Sequence, residues 1–197
     1  MSSPLPDACL DQIFREARTR NGWETTPLAD TLIRAVYDLA RMGPTSANCS
    51  PARFVFVTSD EGREKLASVA SATNGAKIRQ APCTVIIGHD LDFMDRIPEL
   101  FPHNPGAKDW FPKGSDLAER TAFRNGTLQG AYLMLAARSL GLDCGPMSGF
   151  ANDKVDELFF AGTSVKSNFI CCIGHGADKD LFPRSPRLSF EDACTIV

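Results

Sequence analysis

Asp116 to Leu140 is the longest helical pattern in the sequence, and the rest of the chain has to pack around it. Leu117, Phe123, Leu128, Ala131, Tyr132, Leu135, Ala136 and Leu140 cover more than one helical face, with small residues between them. A helix that is apolar nearly all round belongs in a large core or an oligomer interface. Gly141 supplies its C-terminal stop. Shorter helical stripes are expected at Ala8–Arg20 behind Asp7, after Asp30 (Leu32, Ile33, Val36, Leu39, Ala40), at Glu61–Ala72 and at Lys154–Phe160. Ser189 begins a last short helix with Asp192 at its third position. Strand signals at Arg53–Thr58, Thr84–Ile87 and Asn168–Gly174 stand isolated between helices, with no regular βαβ period. That order predicts an α+β fold. With 197 residues, 43% of them hydrophobic, and no linker or repeat, one domain over residues 1–197 is expected.

A net charge of −3 argues against nucleic acid or an anionic membrane as partner. No apolar run reaches the roughly 18 residues needed to span a bilayer. The start, Met1 to Asp7, lacks a secretory signal, which points to a cytoplasmic chain. The seven cysteines are odd in number and form no Cys-x-x-Cys, so reduced and mostly buried thiols are expected. Cys171 and Cys172 are neighbours in a strand-like run and should face opposite sides of a sheet. The three histidines show no ligand spacing, so no metal is expected.

Two loops stand out. Gly43-Pro44-Thr45-Ser46-Ala47-Asn48-Cys49-Ser50-Pro51 carries one glycine, two prolines and four small polar or amide side chains. Such a polar loop between rigid elements is either an elaborate turn or a grip for a planar polar ligand. Gly145–Phe150 is a second loop punctuated by glycine and proline. Asp92–Pro112 is rich in proline and aromatics and will not form one regular element.

Neither the dinucleotide nor the P-loop glycine signature is present, nor a Gly-x-Ser-x-Gly elbow. Arginine clusters lie at both chain ends, Arg18-Thr19-Arg20 and Arg184-Ser185-Pro186-Arg187. Guanidinium forks suit phosphate oxygens. Brought together by the fold, the two clusters make a phosphate seat; apart, they are solvated basic patches. No catalytic constellation is visible, so a bound cofactor is expected to carry the chemistry. A nucleophilic Cys49 is the alternative.

In this order the features resemble the FMN-dependent nitroreductase family, essentially end to end. The nearest similarity is to its HadB/RutE-type branch, carried by Asn21–Trp23, Gly43–Arg53, Thr121–Asn125, Gly141–Phe150 and Pro186–Glu191. The resemblance implies a central, mainly antiparallel sheet flanked by helices, in an intertwined homodimer with FMN at the interface. It implies NADH or NADPH as electron donor, ping-pong turnover and no catalytic side chain. Arg18, Thr19, Arg20, Arg184 and Arg187 would hold the FMN phosphate. Pro44, Thr45, Ser46 and Asn48 would touch the flavin bound mainly by the other subunit. Pro146, Met147, Ser148 and Gly149 would lie beside the ring, and Asn74 and Lys77 near its pyrimidine edge or ribityl chain. The acceptor implied is malonic semialdehyde, reduced to 3-hydroxypropionate in uracil degradation. A nitroaromatic or quinone reductase, or a flavin-binding protein without turnover, are the alternatives. Two departures accompany the resemblance: Asn21 stands where many members have a basic residue, and Ser148 where many have glutamate.

Overall fold

The computed structural model describes residues 3–197. The chain opens with α1 (Asp7–Leu10), which widens into a π-helical turn at Asp11–Arg15 and ends there. Asp7 lies inside the first turn, after a Pro6 cap, and pairs with Arg15 at 2.7 Å. Then follow β1 (Gly22–Trp23), α2 (Asp30–Ala40), β2 (Ala52–Val57), α3 (Asp60–Ala67), α4 (Ala72–Gln80) and β3 (Cys83–Asp90). Asp92–Pro112 holds two 3-10 turns and the short α5 (Ile97–Leu100). The long helix α6 (Asp116–Ser139) leads to β4 (Asp143–Met147), α7 (Asn152–Phe159), β5 (Val165–Gly174), β6 (Gly176–Ala177) and α8 (Phe190–Ala193).

Three expected boundaries move. The helical stripe expected over Ala8–Arg20 ends at Arg15. The helix anticipated over Glu61–Ala72 stops at Ala67, and a further helix, α4, begins at Ala72 beyond a break at Ser68–Ser71. There the backbone pairs instead with the segment after β4: Ser71 N–H donates to Gly149 O, and Ala151 N–H to Val69 O, both at 2.9 Å. Ser71 Oγ then caps α4 by accepting from Asn74 N–H. The expected Gly145–Phe150 loop is half strand, because Gly145, Pro146 and Met147 pair with Cys172, Cys171 and Ile170.

The sheet runs β2-β3-β5-β4, antiparallel throughout. Its central strands β3 and β5 are sandwiched between helices. Alternate side chains therefore feed two cores, as the period of two requires. On one side Val85, Ile87, Cys171 and Ile173 pack with Val36 of α2 and Leu133 of α6. On the other, Ile86, Ile170 and Cys172 meet Leu66, Ile78 and Val155. Cys171 and Cys172 thus enter opposite cores. Each large side chain so buried contributes about 1.5–3 kcal/mol of hydrophobic stabilisation. A third cluster joins Phe93, Ile97 and Phe111 to Ala118 and Ala122 of α6 and to Cys49.

Small residues let α6 lie close on the sheet; a Cβ at Gly130 would stand 2.5 Å from the Phe169 ring. Its apolar character divides between two faces. Leu133, Ala136 and Ala137 are buried, while Leu117, Phe123, Leu128 and Tyr132 are exposed in the single chain.

Candidate functional site

The last residues of the N-terminal segment lie along β4. Thr19 bridges Cys144 in parallel, and Arg20 N–H donates to Cys144 O at 3.1 Å. The C-terminal tail returns to the same place. Arg18 donates to Phe182 O, and Arg184 Nη2 donates to Arg15 O at 2.5 Å and Ala17 O at 3.1 Å. Between them is a pocket of about 560 Å³ whose lining includes Arg18, Thr19, Asn21, Arg138, Arg184 and Arg187. The two arginine clusters, at opposite ends of the sequence, therefore share one cavity. Among the described residues none of its four arginines forms an ion pair. Their modest hydrogen bonds go to backbone carbonyls; Arg187 Nη1, for example, reaches Ser185 O at 2.8 Å. Four unpaired guanidiniums and a hydroxyl are a donor set suited to a phosphate monoester.

Arg20 does not line this pocket. It turns to Asp178 at 2.6 Å and Asp143 at 3.4 Å. Desolvation opposes its charge, but those two carboxylates hold its pKa above the ordinary arginine value. Asp143 also accepts Gly176 N–H at 2.9 Å, so Arg20 helps to join β4 to the β1–β6 pair.

At the far end of β4 a second group gathers. Met147 is partly buried against the core, and Ser148 and Gly149 are exposed just beyond it. Asn74 Nδ2 donates to Gly149 O at 3.1 Å. Half-buried Lys77 lies one turn further along α4 and, among the described residues, has no acidic partner. From Cys144 to Met147 the strand climbs about 10 Å. The arginine pocket and the Met147–Gly149 wall thus occupy two ends of one edge strand.

The Gly43–Pro51 loop is elsewhere. It feeds β2, the opposite edge, three strand spacings or roughly 14 Å from β4. Within one chain, therefore, Pro44, Thr45, Ser46 and Asn48 do not join the other candidate residues. The loop is a single 3-10 turn with Ala47, Asn48 and Ser50 at φ of +49°, +49° and +40°. Thr45 Oγ1 accepts Ser50 N–H at 3.1 Å, and Asn48 Nδ2 donates to Leu100 O at 2.7 Å. Non-glycine residues in this region are strained, and such strain concentrates at functional segments. Cys49 is buried beneath the loop, where desolvation pushes its thiol up to about 11. A thiol so raised is a poor nucleophile at neutral pH, contrary to the cysteine-enzyme alternative.

Sequence reasoning missed three contributors. Arg138 was hidden because an arginine in the last turn of a helix reads as an ordinary partner for the helix dipole. Asn125 and Gln129, which hold the loop from α6, look like polar interruptions of an apolar helix. All seven cysteines are free, and among the described residues no group of three or more His, Cys, Asp or Glu is placed to hold a metal. Among the described residues no helix is long and apolar enough to cross a membrane.

Comparison with known proteins bears on the family and the fold. A sequence model described as the Nitroreductase family matches residues 3–175. A Caulobacter vibrioides protein provisionally named NADH dehydrogenase/NAD(P)H nitroreductase is 59% identical over 193 residues, 98% of each chain. A Ralstonia pickettii protein with the same provisional name, called HadB, is 57% identical over 189 residues, 95% of this chain and 96% of its own. Among solved structures, a provisionally named nitroreductase from Exiguobacterium sibiricum, in complex with FMN, superposes with a TM-score of 0.86 at 19% identity over all of both chains. The sequence match over most of the length and the shared fold lead to one conclusion: the chain belongs to the nitroreductase family.

Proposed function

We propose that this protein is an FMN-dependent oxidoreductase that draws electrons from NADH or NADPH and delivers them to malonic semialdehyde, giving 3-hydroxypropionate in pyrimidine degradation. The observation that carries the FMN reading is the pocket where Arg18, Thr19, Arg184 and Arg187 meet, without carboxylate partners, beside the start of β4. FMN held there would supply the redox chemistry, two-electron transfer between the nicotinamide and the second substrate. The chain's own residues bind and orient. The arginines and Thr19 would hold the phosphate. Pro146, Met147, Ser148 and Gly149 would lie beside the ring, and Asn74 and Lys77 toward its pyrimidine edge. Lys77, a half-buried cation without an acidic partner among the described residues, suits the stabilisation of negative charge there.

The site is completed by a second copy. Pro44, Thr45, Ser46 and Asn48 stand on the opposite sheet edge from β4, so they would reach the flavin held by the partner. Phe123 (51% exposed) and Leu128 (45%) on α6 offer an apolar face for that contact. The tail from Leu188 to Val197 is exposed throughout, as expected of an arm that wraps another subunit. Seven free thiols suit a cytoplasmic location.

The acceptor rests on the resemblance of the Gly43–Arg53, Thr121–Asn125 and Gly141–Phe150 segments to the HadB/RutE branch. The names of the relatives support a nitroaromatic acceptor as the second reading. Turnover of malonic semialdehyde, a quinone and a nitroaromatic, each with NADH and with NADPH, separates them. The semialdehyde should show the highest kcat/KM. A nitroaromatic or quinone well ahead of it would overturn the aldehyde assignment.

A further inference from the structure

One guanidinium in the arginine pocket belongs to neither terminal cluster. Arg138 sits in the last turn of α6 and lines the cavity with Arg18, Arg184 and Arg187. Its Nη1 reaches Ile13 O at a long 3.3 Å, and among the described residues its buried Nε has no hydrogen-bond partner. A guanidinium stays charged at every physiological pH, and a buried donor left unpaired is costly. Three like charges share the cavity, which adds to that cost. A dianionic group would relieve both.

The helix-end explanation for Arg138 is weak here. Gln12 already serves the carbonyls of that turn, donating from Nε2 to Arg138 O at 2.7 Å. The Arg138 head instead points away from them, toward the segment that follows α1. Arg20 differs: its Nε also makes no hydrogen bond among the described residues, but it lies 3.4 Å from Asp143, and Nη1 pairs with Asp178 at 2.6 Å, outside the cavity lining.

We infer that Arg138, and not Arg20, is a phosphate-binding residue of this pocket. Asn21, in the same lining, carries no charge, and its Nδ2 is turned to Asp180 O at 3.1 Å. The inference rests on the FMN reading, and it specifies which charges hold the phosphomonoester end of that ligand.

The test compares FMN with riboflavin, which lacks the phosphate. Full-length chain stripped of flavin is titrated with each, following quenching of flavin fluorescence. The unaltered protein should prefer FMN strongly. Arg138→Gln should weaken FMN binding by about tenfold or more and leave riboflavin unchanged, the loss expected for one charge-assisted contact. Arg138→Lys keeps the charge without the fork and should recover part of the preference. Arg20→Gln should lower Tm and leave the FMN-to-riboflavin ratio intact. Equal weakening of both flavins by Arg138→Gln, no change in either, or collapse of the ratio in Arg20→Gln alone would overturn the inference. Should Arg138→Gln fail to fold, an unchanged ratio in Arg138→Lys would overturn it equally. An unaltered chain with no preference for FMN would instead overturn the FMN reading itself.

Discussion

Asn125 holds Ser46 with both ends of its amide. Its Oδ1 accepts the Ser46 backbone N–H at 2.9 Å, and its Nδ2 reaches Ser46 Oγ at 3.3 Å while also donating to Thr121 O at 2.8 Å. One turn along α6, Gln129 Oε1 accepts Ala52 N–H at 2.8 Å. These two buried amides bracket Ala47, Asn48 and Ser50, each with a positive φ. Left-handed backbone at such residues costs about 1–2 kcal/mol each. The loop keeps its shape because α6 pins it at both ends.

Asn125→Leu should therefore release the loop. Loss of the Ser46 acceptor is expected to destabilise the fold by about 1–2 kcal/mol, read as a shift in the urea midpoint. The purified variant should also retain less FMN than the unaltered protein. A variant with lowered stability and full flavin content would show that the loop shape does not matter for binding.

Gly43 faces Tyr132 too closely for any side chain. A Cβ there would stand 2.5 Å from Tyr132 Cγ. Gly43→Ala should cost about 1–3 kcal/mol through forced displacement of the ring. Adding Tyr132→Ala should restore much of that loss, giving a coupling energy in a double-mutant cycle. Additive losses would mean that the two residues do not meet.

Cys49 should be dispensable for turnover. Its thiol, raised to about 11, stays protonated at neutral pH and lies under the loop. Cys49→Ala is expected to keep kcat close to the unaltered value, with a stability loss from the vacated volume. Native protein at pH 7 should resist labelling at Cys49. Abolition of turnover by this substitution would revive the cysteine alternative.

Most helices, the strands β2, β3 and β5 and the opposed faces of Cys171 and Cys172 were legible because hydrophobic period and turn residues report them locally; the antiparallel order came only with the family resemblance. The pairing of Arg18 with Arg184 across the whole chain was legible only as a possibility, since charge clusters carry no distance information. What stayed hidden was decided by tertiary hydrogen bonds. Val69 and Ser71 leave the helix to pair with Ala151 and Gly149, and Met147 leaves the loop to pair with Ile170. The two-residue strands Gly22–Trp23 and Gly176–Ala177 are too short to show any period. Arg20 turns out of the pocket because Asp143 and Asp178 pair with it, whereas among the described residues no carboxylate pairs with Arg138, which reaches only Ile13 O.

His89 should make stability depend on pH. Burial lowers its pKa below 6.5, with Asp156, Glu119 and Asp90 pulling the other way and Lys166 assisting. The folded state thus favours neutral imidazole. Its contribution is complete above the unfolded value of about 6.5 and is lost as pH falls through the lower folded value. Between about pH 7 and 5 the urea midpoint of the unaltered chain should fall more than that of His89→Leu. Parallel curves would remove His89 as the cause.

Electron transfer through bound FMN is tested most directly by anaerobic titration of the flavin-loaded chain with NADH and with NADPH. The yellow absorbance should bleach with about one equivalent of reduced nicotinamide per flavin and return when the acceptor is added. A chain that takes up no FMN, or one whose bound flavin neither nicotinamide bleaches, would contradict the assignment.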